Sequence, residues 1–140
     1  MEANNKEEVI EQLRYLQSLY IQEYENLLNE ITNYNLVYNA TQRNIDVLEN
    51  LGMLESSNIL LNLEGGTYIE AKLNKVDKAL VYVGSGYLIE KSIDEAKAFL
   101  KQNKQKGEEL IKELNKRKEE IEKNLIDVAF ELEKIGNSNV

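Results

Sequence analysis

Twenty-five carboxylates and no histidine or cysteine set the chemical limits of this 140-residue chain. Without imidazole or thiol there is no Ser–His or Cys–His nucleophile pair, no disulfide framework and no His/Cys zinc site. Carboxylates alone could serve as acid–base pairs or hold a hard cation. The densest group is Glu108, Glu109, Glu113, Glu119, Glu120 and Glu122. These alternate with lysines at helix-surface spacing, as in Glu119 and Lys123, which is the pattern of a solvated face with i,i+4 pairs. A di-metal bundle site would need Glu-x-x-His. Gly84-Ser85-Gly86 is not a nucleophile elbow, because Val83 stands where the first Gly is needed. Gly65-Gly66 and Gly84/Gly86 lack both the Lys-Ser/Thr of a phosphate loop and a third dinucleotide glycine, so no ATP-driven step is expected. Lys116-Arg117-Lys118 and the lysines from Lys101 to Lys106 are small basic clusters in a chain of net charge −8, which argues against nucleic acid as a partner. The expectation is a non-enzyme without cofactor or metal.

Two long elements must position whatever function remains. In the first third, Ile10, Gln17, Tyr24, Ile31, Tyr38 and Ile45 form one row, and Leu13, Tyr20, Leu27, Tyr34, Thr41 and Leu48 a second. The alternating three–four spacing over six heptads is that of a left-handed coiled coil. The last third repeats the device with Lys97, Lys104, Ile111, Lys118, Leu125 and Leu132, and with Leu100, Gly107, Leu114, Ile121, Val128 and Ile135. Tyr20, Tyr24, Tyr34 and Tyr38 fall on the seam, where packing is their expected role. The absence of proline permits long helices, since Pro breaks them. Asn5 with Glu8 reads as a helix start, Gly52 and Gly136 as helix ends, and Ser92-Ile93-Asp94-Glu95 as a capping box. The spacing thus predicts helices over 7–51 and 92–135, each about 65 Å long at 1.5 Å per residue. Their equal length favours antiparallel pairing within one chain. Lys97, Lys104 and Gly107 weaken the second seam, so more local opening is expected over 101–108.

The middle, residues 57–91, follows a different rule. Ile59–Leu63, Thr67–Leu73, Ala79–Val83 and Tyr87–Lys91 read as short strands, joined by turns at Glu64-Gly65-Gly66 and Gly84-Ser85-Gly86. Ile59, Leu61, Leu63, Ile69, Leu73, Val81, Val83 and Ile89 give these strands an apolar face that they cannot bury alone. A coil whose seam is already used offers little cover, and open strand edges are templates for pairing. The inference is that copies join through the hairpins and leave the coils free. The amino-terminal segment has neither a basic region nor an apolar stretch, and no apolar run approaches a membrane span, so a soluble, cytoplasmic chain without membrane partner is expected.

The order helix, hairpin, hairpin, helix resembles the prefoldin α-class subunit, in its archaeal form. The resemblance covers essentially the whole chain and rests most on residues 59–73, Ile-Leu-Leu-Asn-Leu-Glu-Gly-Gly-Thr-Tyr-Ile-Glu-Ala-Lys-Leu, and on Val81-Tyr82-Val83-Gly84-Ser85-Gly86-Tyr87-Leu88-Ile89-Glu90-Lys91-Ser92. It implies one α+β domain over residues 1–140: a long antiparallel coiled-coil hairpin whose two central β-hairpins oligomerise into a β-barrel body. It also implies an ATP-independent holdase that grips unfolded polypeptides at its coil tips and passes them to a group II chaperonin. Carried onto this chain, the gripping residues are Val9, Ile10, Leu13 and Leu16 with Val128, Leu132 and Ile135. Tyr68, Leu80 and Tyr87 join the apolar strand residues in the assembly surface. The sequence departs from the family pattern at Leu61-Asn62, where Val-Pro is usual. Losing a proline that would limit pairing points toward a self-assembling, filament-building form, beside the usual hetero-hexamer with β-class subunits. A structural filament or tethering scaffold without clients is the alternative reading.

Overall fold

The computed structural model describes residues 2–137. Its elements run α1 (Glu2–Glu49), α2 (Leu51–Leu54), β1 (Asn58–Asn62), β2 (Tyr68–Lys72), β3 (Lys78–Gly84), β4 (Tyr87–Ser92) and α3 (Ile93–Asn137). Two long helices therefore bracket two antiparallel hairpins, as the patterning predicts. The strands form two separate two-stranded sheets, β1–β2 and β3–β4, and no barrel closes within the described residues.

The helix ends differ from expectation in instructive ways. α1 starts at Glu2, so Asn5 and Glu8 lie inside it and do not cap it. Nothing in the first residues breaks a helix, and Glu2 complements the positive end of the dipole. α1 stops before Gly52, at Glu49. Asn50 Nδ2 donates to the Asp46 carbonyl at 2.7 Å, and the Asn50 N–H is shared between the Asp46 and Val47 carbonyls at 3.2 Å each. Asn50 thus turns the chain by bonding its own backbone, and Gly52 falls in the short α2 that follows. Gly136 lies within α3. The hydroxyl half of the Ser92 capping box is present, with the Glu95 N–H donating to Ser92 Oγ at 3.2 Å.

The chain divides into two compact units, Met1–Leu36 with Glu108–Val140, and Val37–Gly107. In the first, α1 and α3 pack antiparallel around Leu27, Ile121 and Val128. Tyr24 Oη donates to Glu122 Oε1 at 3.0 Å, and Arg117 Nε donates to Glu23 Oε1 at 3.1 Å. In the second, Ile45, Ala96 and Val81 are buried, Lys101 Nζ pairs with Glu49 Oε1 at 2.8 Å, and Lys104 Nζ lies 5.7 Å from the Tyr38 ring centroid. All twelve α3 seam positions are buried or half-buried, and in α1 only Tyr34 lies open. The heptad rows are the packed rows.

In β1–β2, Leu61 pairs with Ile69 and Asn62 with Tyr68. The turn needs three successive left-handed residues, Glu64 (φ 69°), Gly65 (φ 64°) and Gly66 (φ 83°). Two glycines make this cheap, and Asn62 Oδ1 holds the Glu64 N–H at 2.9 Å at the strained non-glycine position. In β3–β4, Val81 pairs with Ile89 and Tyr82 with Leu88, and the register shifts between Tyr82 and Gly84. Gly84, Ser85 and Gly86 again have positive φ, and the Gly86 N–H donates to Tyr82 Oη at 3.3 Å. The Ser56 N–H, donating to the Leu73 carbonyl at 2.7 Å, continues the first ladder beyond its strands.

Candidate functional site

Two apolar surfaces are built from these elements, one in each unit. The first is the strand surface of Val37–Gly107. Register puts Ile59, Leu61, Ile69 and Ala71 on one face of β1–β2, while the other face alternates Leu60 and Tyr68 with polar side chains. Leu61, Leu63, Tyr68 and Ile69 are exposed, as are Leu80, Val83, Tyr87 and Ile89 in the second hairpin; Ile59 and Leu73 are half-buried. Leu60, Tyr82 and Leu88, which the period-two reading did not assign to this surface, are also exposed. Their signal was available, because both faces of a two-stranded sheet are open.

Val81 alone among the expected assembly residues is buried, at 7% exposure. Ala79, Leu80, Val81, Tyr82 and Leu88 line a groove of about 600 Å³ against Val37, Thr41, Val47 and Leu48 of α1 and Leu100 of α3. The coil therefore covers part of one hairpin, although its seam is occupied. Val37 and Val47, just off the seam, line this groove and stay exposed. Val81 has no area left to offer a second copy.

The second surface is the coil end of the other unit. Ile10, Leu13, Leu132 and Ile135 are half-buried on the seam, and Val128, at 6% exposure, is closed within it. Only Val9 and Leu16 of the seven expected gripping residues are exposed. Val9 and Ile135 line an open cleft of about 240 Å³ with Asn5 and Lys6. Apolar residues outside both heptad rows are exposed as well, and Tyr15 (67%), Ile126 (69%) and Phe130 are more accessible than Val9 and Leu16. Sequence reasoning that followed the seam passed over them. Their signal is an apolar residue at a position the heptad assigns to solvent.

Charge and protonation follow from the coil contacts. Glu122 accepts the Tyr24 hydroxyl and holds that phenol above its ordinary pKa, because a carboxylate stabilises the protonated form. Lys101, with Lys97 and Lys104 beyond it, holds the Glu49 carboxyl below its ordinary value. Among the described residues no acidic cluster is arranged to hold a metal ion, and no helix is long and apolar enough to cross a membrane.

Comparison with known proteins places this arrangement. The family model described as Prefoldin subunit matches residues 20–138. The prefoldin subunit alpha of Pyrococcus horikoshii is 31% identical over 96% of this chain and 91% of its own length. The prefoldin subunit alpha of Archaeoglobus fulgidus is 30% identical over 76% of this chain and 77% of its own. Among solved structures, the cryo-EM structure of a filamentous PFD from Methanocaldococcus jannaschii superposes with a TM-score of 0.67, at 23% identity, over 81% of this chain and 95% of that one.

Proposed function

The chain belongs to the prefoldin family, and from that premise we propose that it is an ATP-independent holdase acting in the cytoplasm as one domain of residues 1–140. It assembles through its hairpins and binds unfolded polypeptides at the coil ends. The observation that carries this reading is the pairing of two exposed apolar surfaces on one chain, strands in one unit and coil end in the other. Burying a large apolar side chain contributes about 2 kcal/mol, so the exposed strand residues are a strong drive to association. Client contacts are few per chain and individually weak. Several chains in one assembly raise affinity by about 10²-fold or more through avidity, and release needs no nucleotide because single contacts dissociate quickly.

Assembly as a homo-filament is favoured by two observations. β1 keeps its ladder through Asn62, which pairs with Tyr68, so no proline shortens that strand. The fold also matches that of a filamentous archaeal PFD. A hetero-hexamer with β-class subunits, and delivery to a group II chaperonin, are the other arrangements the family suggests.

The test is deletion of residues 1–16 and 128–140. The truncated chain is expected to assemble as the full chain does, by sedimentation and electron microscopy, and to lose suppression of aggregation of a denatured test protein. Full-length protein that never suppresses aggregation in excess would instead leave a structural filament.

A further inference from the structure

Within the unit made of Met1–Leu36 and Glu108–Val140, the coil carries apolar side chains on both of its outer sides. Tyr15 and Leu19 lie one turn apart on the side of α1 turned away from the seam. Ile126 and Phe130 lie one turn apart on the far side of α3. The two pairs therefore share no surface on one molecule, yet they stand at one height. Two contacts fix the antiparallel register: Tyr24 Oη donates to Glu122, and Val9 lines a cleft with Ile135. Counting between them puts Tyr15 level with Phe130 and Leu19 level with Ile126. The same count follows both outer rows along the coil. On α1 the next positions are Gln22, Asn26 and Asn29, and level with them on α3 stand Lys123, Glu119 and Lys116.

We propose that these two sides bind each other between copies: the Tyr15–Leu19 side of one chain packs on the Ile126–Phe130 side of the next, so that neighbouring coils lie side by side. The inference rests on the hairpin-assembly reading and adds a second, separate contact between copies. Equal heights on opposite sides are what a copy shifted sideways without rotation requires. Each level also has a compatible partner. Apolar faces apolar at Tyr15 and Leu19, and at the next three levels an uncharged amide meets a lysine or a glutamate, to which it can accept or donate. The α1 row brings no charge of its own, so no like pair arises along the two rows. A head-to-tail contact of this kind repeats without closing, as open hairpin edges also do. Joining at the hairpins raises the effective concentration of one coil at the next, so a small contact suffices. The net charge of −8 opposes the approach at long range, and the contact closes as salt screens that repulsion.

The chain has no cysteine, so crosslinks can be placed at will. Copies carrying L19C are co-expressed with copies carrying I126C, and the full-length assembly is oxidised; a disulfide forms only where Cα atoms come within ~7 Å. The mixed L19C–I126C dimer is expected to exceed either same-residue dimer about tenfold at about 0.15 M salt, and to fall at about 0.01 M, where charges are felt over ~30 Å. Adding F130D to the I126C chain is expected to cut the mixed yield severalfold, with helicity and assembly size unchanged. Same-residue dimers in excess overturn the head-to-tail contact. Assembled protein that gives no mixed dimer at either salt, or a yield that F130D leaves unchanged, overturns it too and leaves hairpin assembly standing. A chain that sediments as a monomer overturns the hairpin-assembly reading itself.

Discussion

Tyr24 and Glu49 are the residues at which the paired helices feel a single proton. Tyr24 donates to Glu122, so its pKa rises on folding. A raised value adds stability that is complete below the ordinary phenol value of 10.0 and is lost as pH climbs through the folded value. The Tyr24→Phe variant should therefore melt below wild type near neutral pH, and the gap should close in strong alkali, as read by circular dichroism. Glu49 behaves in the opposite sense. Its pKa is lowered by Lys101, so its contribution is present above 4.5 and disappears as pH falls through the folded value. The gap between wild type and Glu49→Gln should close in acid, and should also shrink at high salt because the pair is exposed.

At the scale of elements, the seam of α3 is uneven. Gly107 occupies a seam position, and an added Cβ would meet only Tyr38 Cδ2, at an ordinary 3.9 Å. Gly107→Ala should therefore stabilise the helix by about 1 kcal/mol through its backbone alone, and should slow amide exchange over residues 101–108. The hairpins carry a different prediction. Leu61→Lys with Ile69→Lys places two charges on a paired, exposed apolar spot. This should dissolve the assembly without loss of helicity, as followed by sedimentation and far-ultraviolet dichroism. The long helices and both hairpins were legible because heptad spacing and period-two alternation each report one buried face. The ends were less so, since Asn50 stopped α1 through a side-chain bond that no periodicity encodes. At the coil end, exposure was less legible than packing. A seam reading singles out Val128, which packing closes within the coil, whereas the exposure of Phe130 is announced only by an apolar residue at an off-seam position.

For the molecule as a whole, the apolar strand surface and the charged coil end call on different forces. The strand surface is apolar, and the segment 26–118 that contains it has no net charge. Sedimentation of the purified chain should therefore give the same assembly size at low and high salt. Two-stranded sheets with open edges also provide no built-in stop. An interface that repeats without closing grows with protein concentration, whereas one that closes gives a fixed copy number. A dilution series on the same sample separates the two.

Residues 2–25 and 119–137 carry the whole net charge of −8, with twelve acidic and four basic side chains, and this has one more outcome. Neighbouring ends in an assembly carry like charge and push one another apart, so the openings between them stay clear of self-adhesion while empty. Because that repulsion is electrostatic, raised ionic strength is expected to let neighbouring ends approach one another.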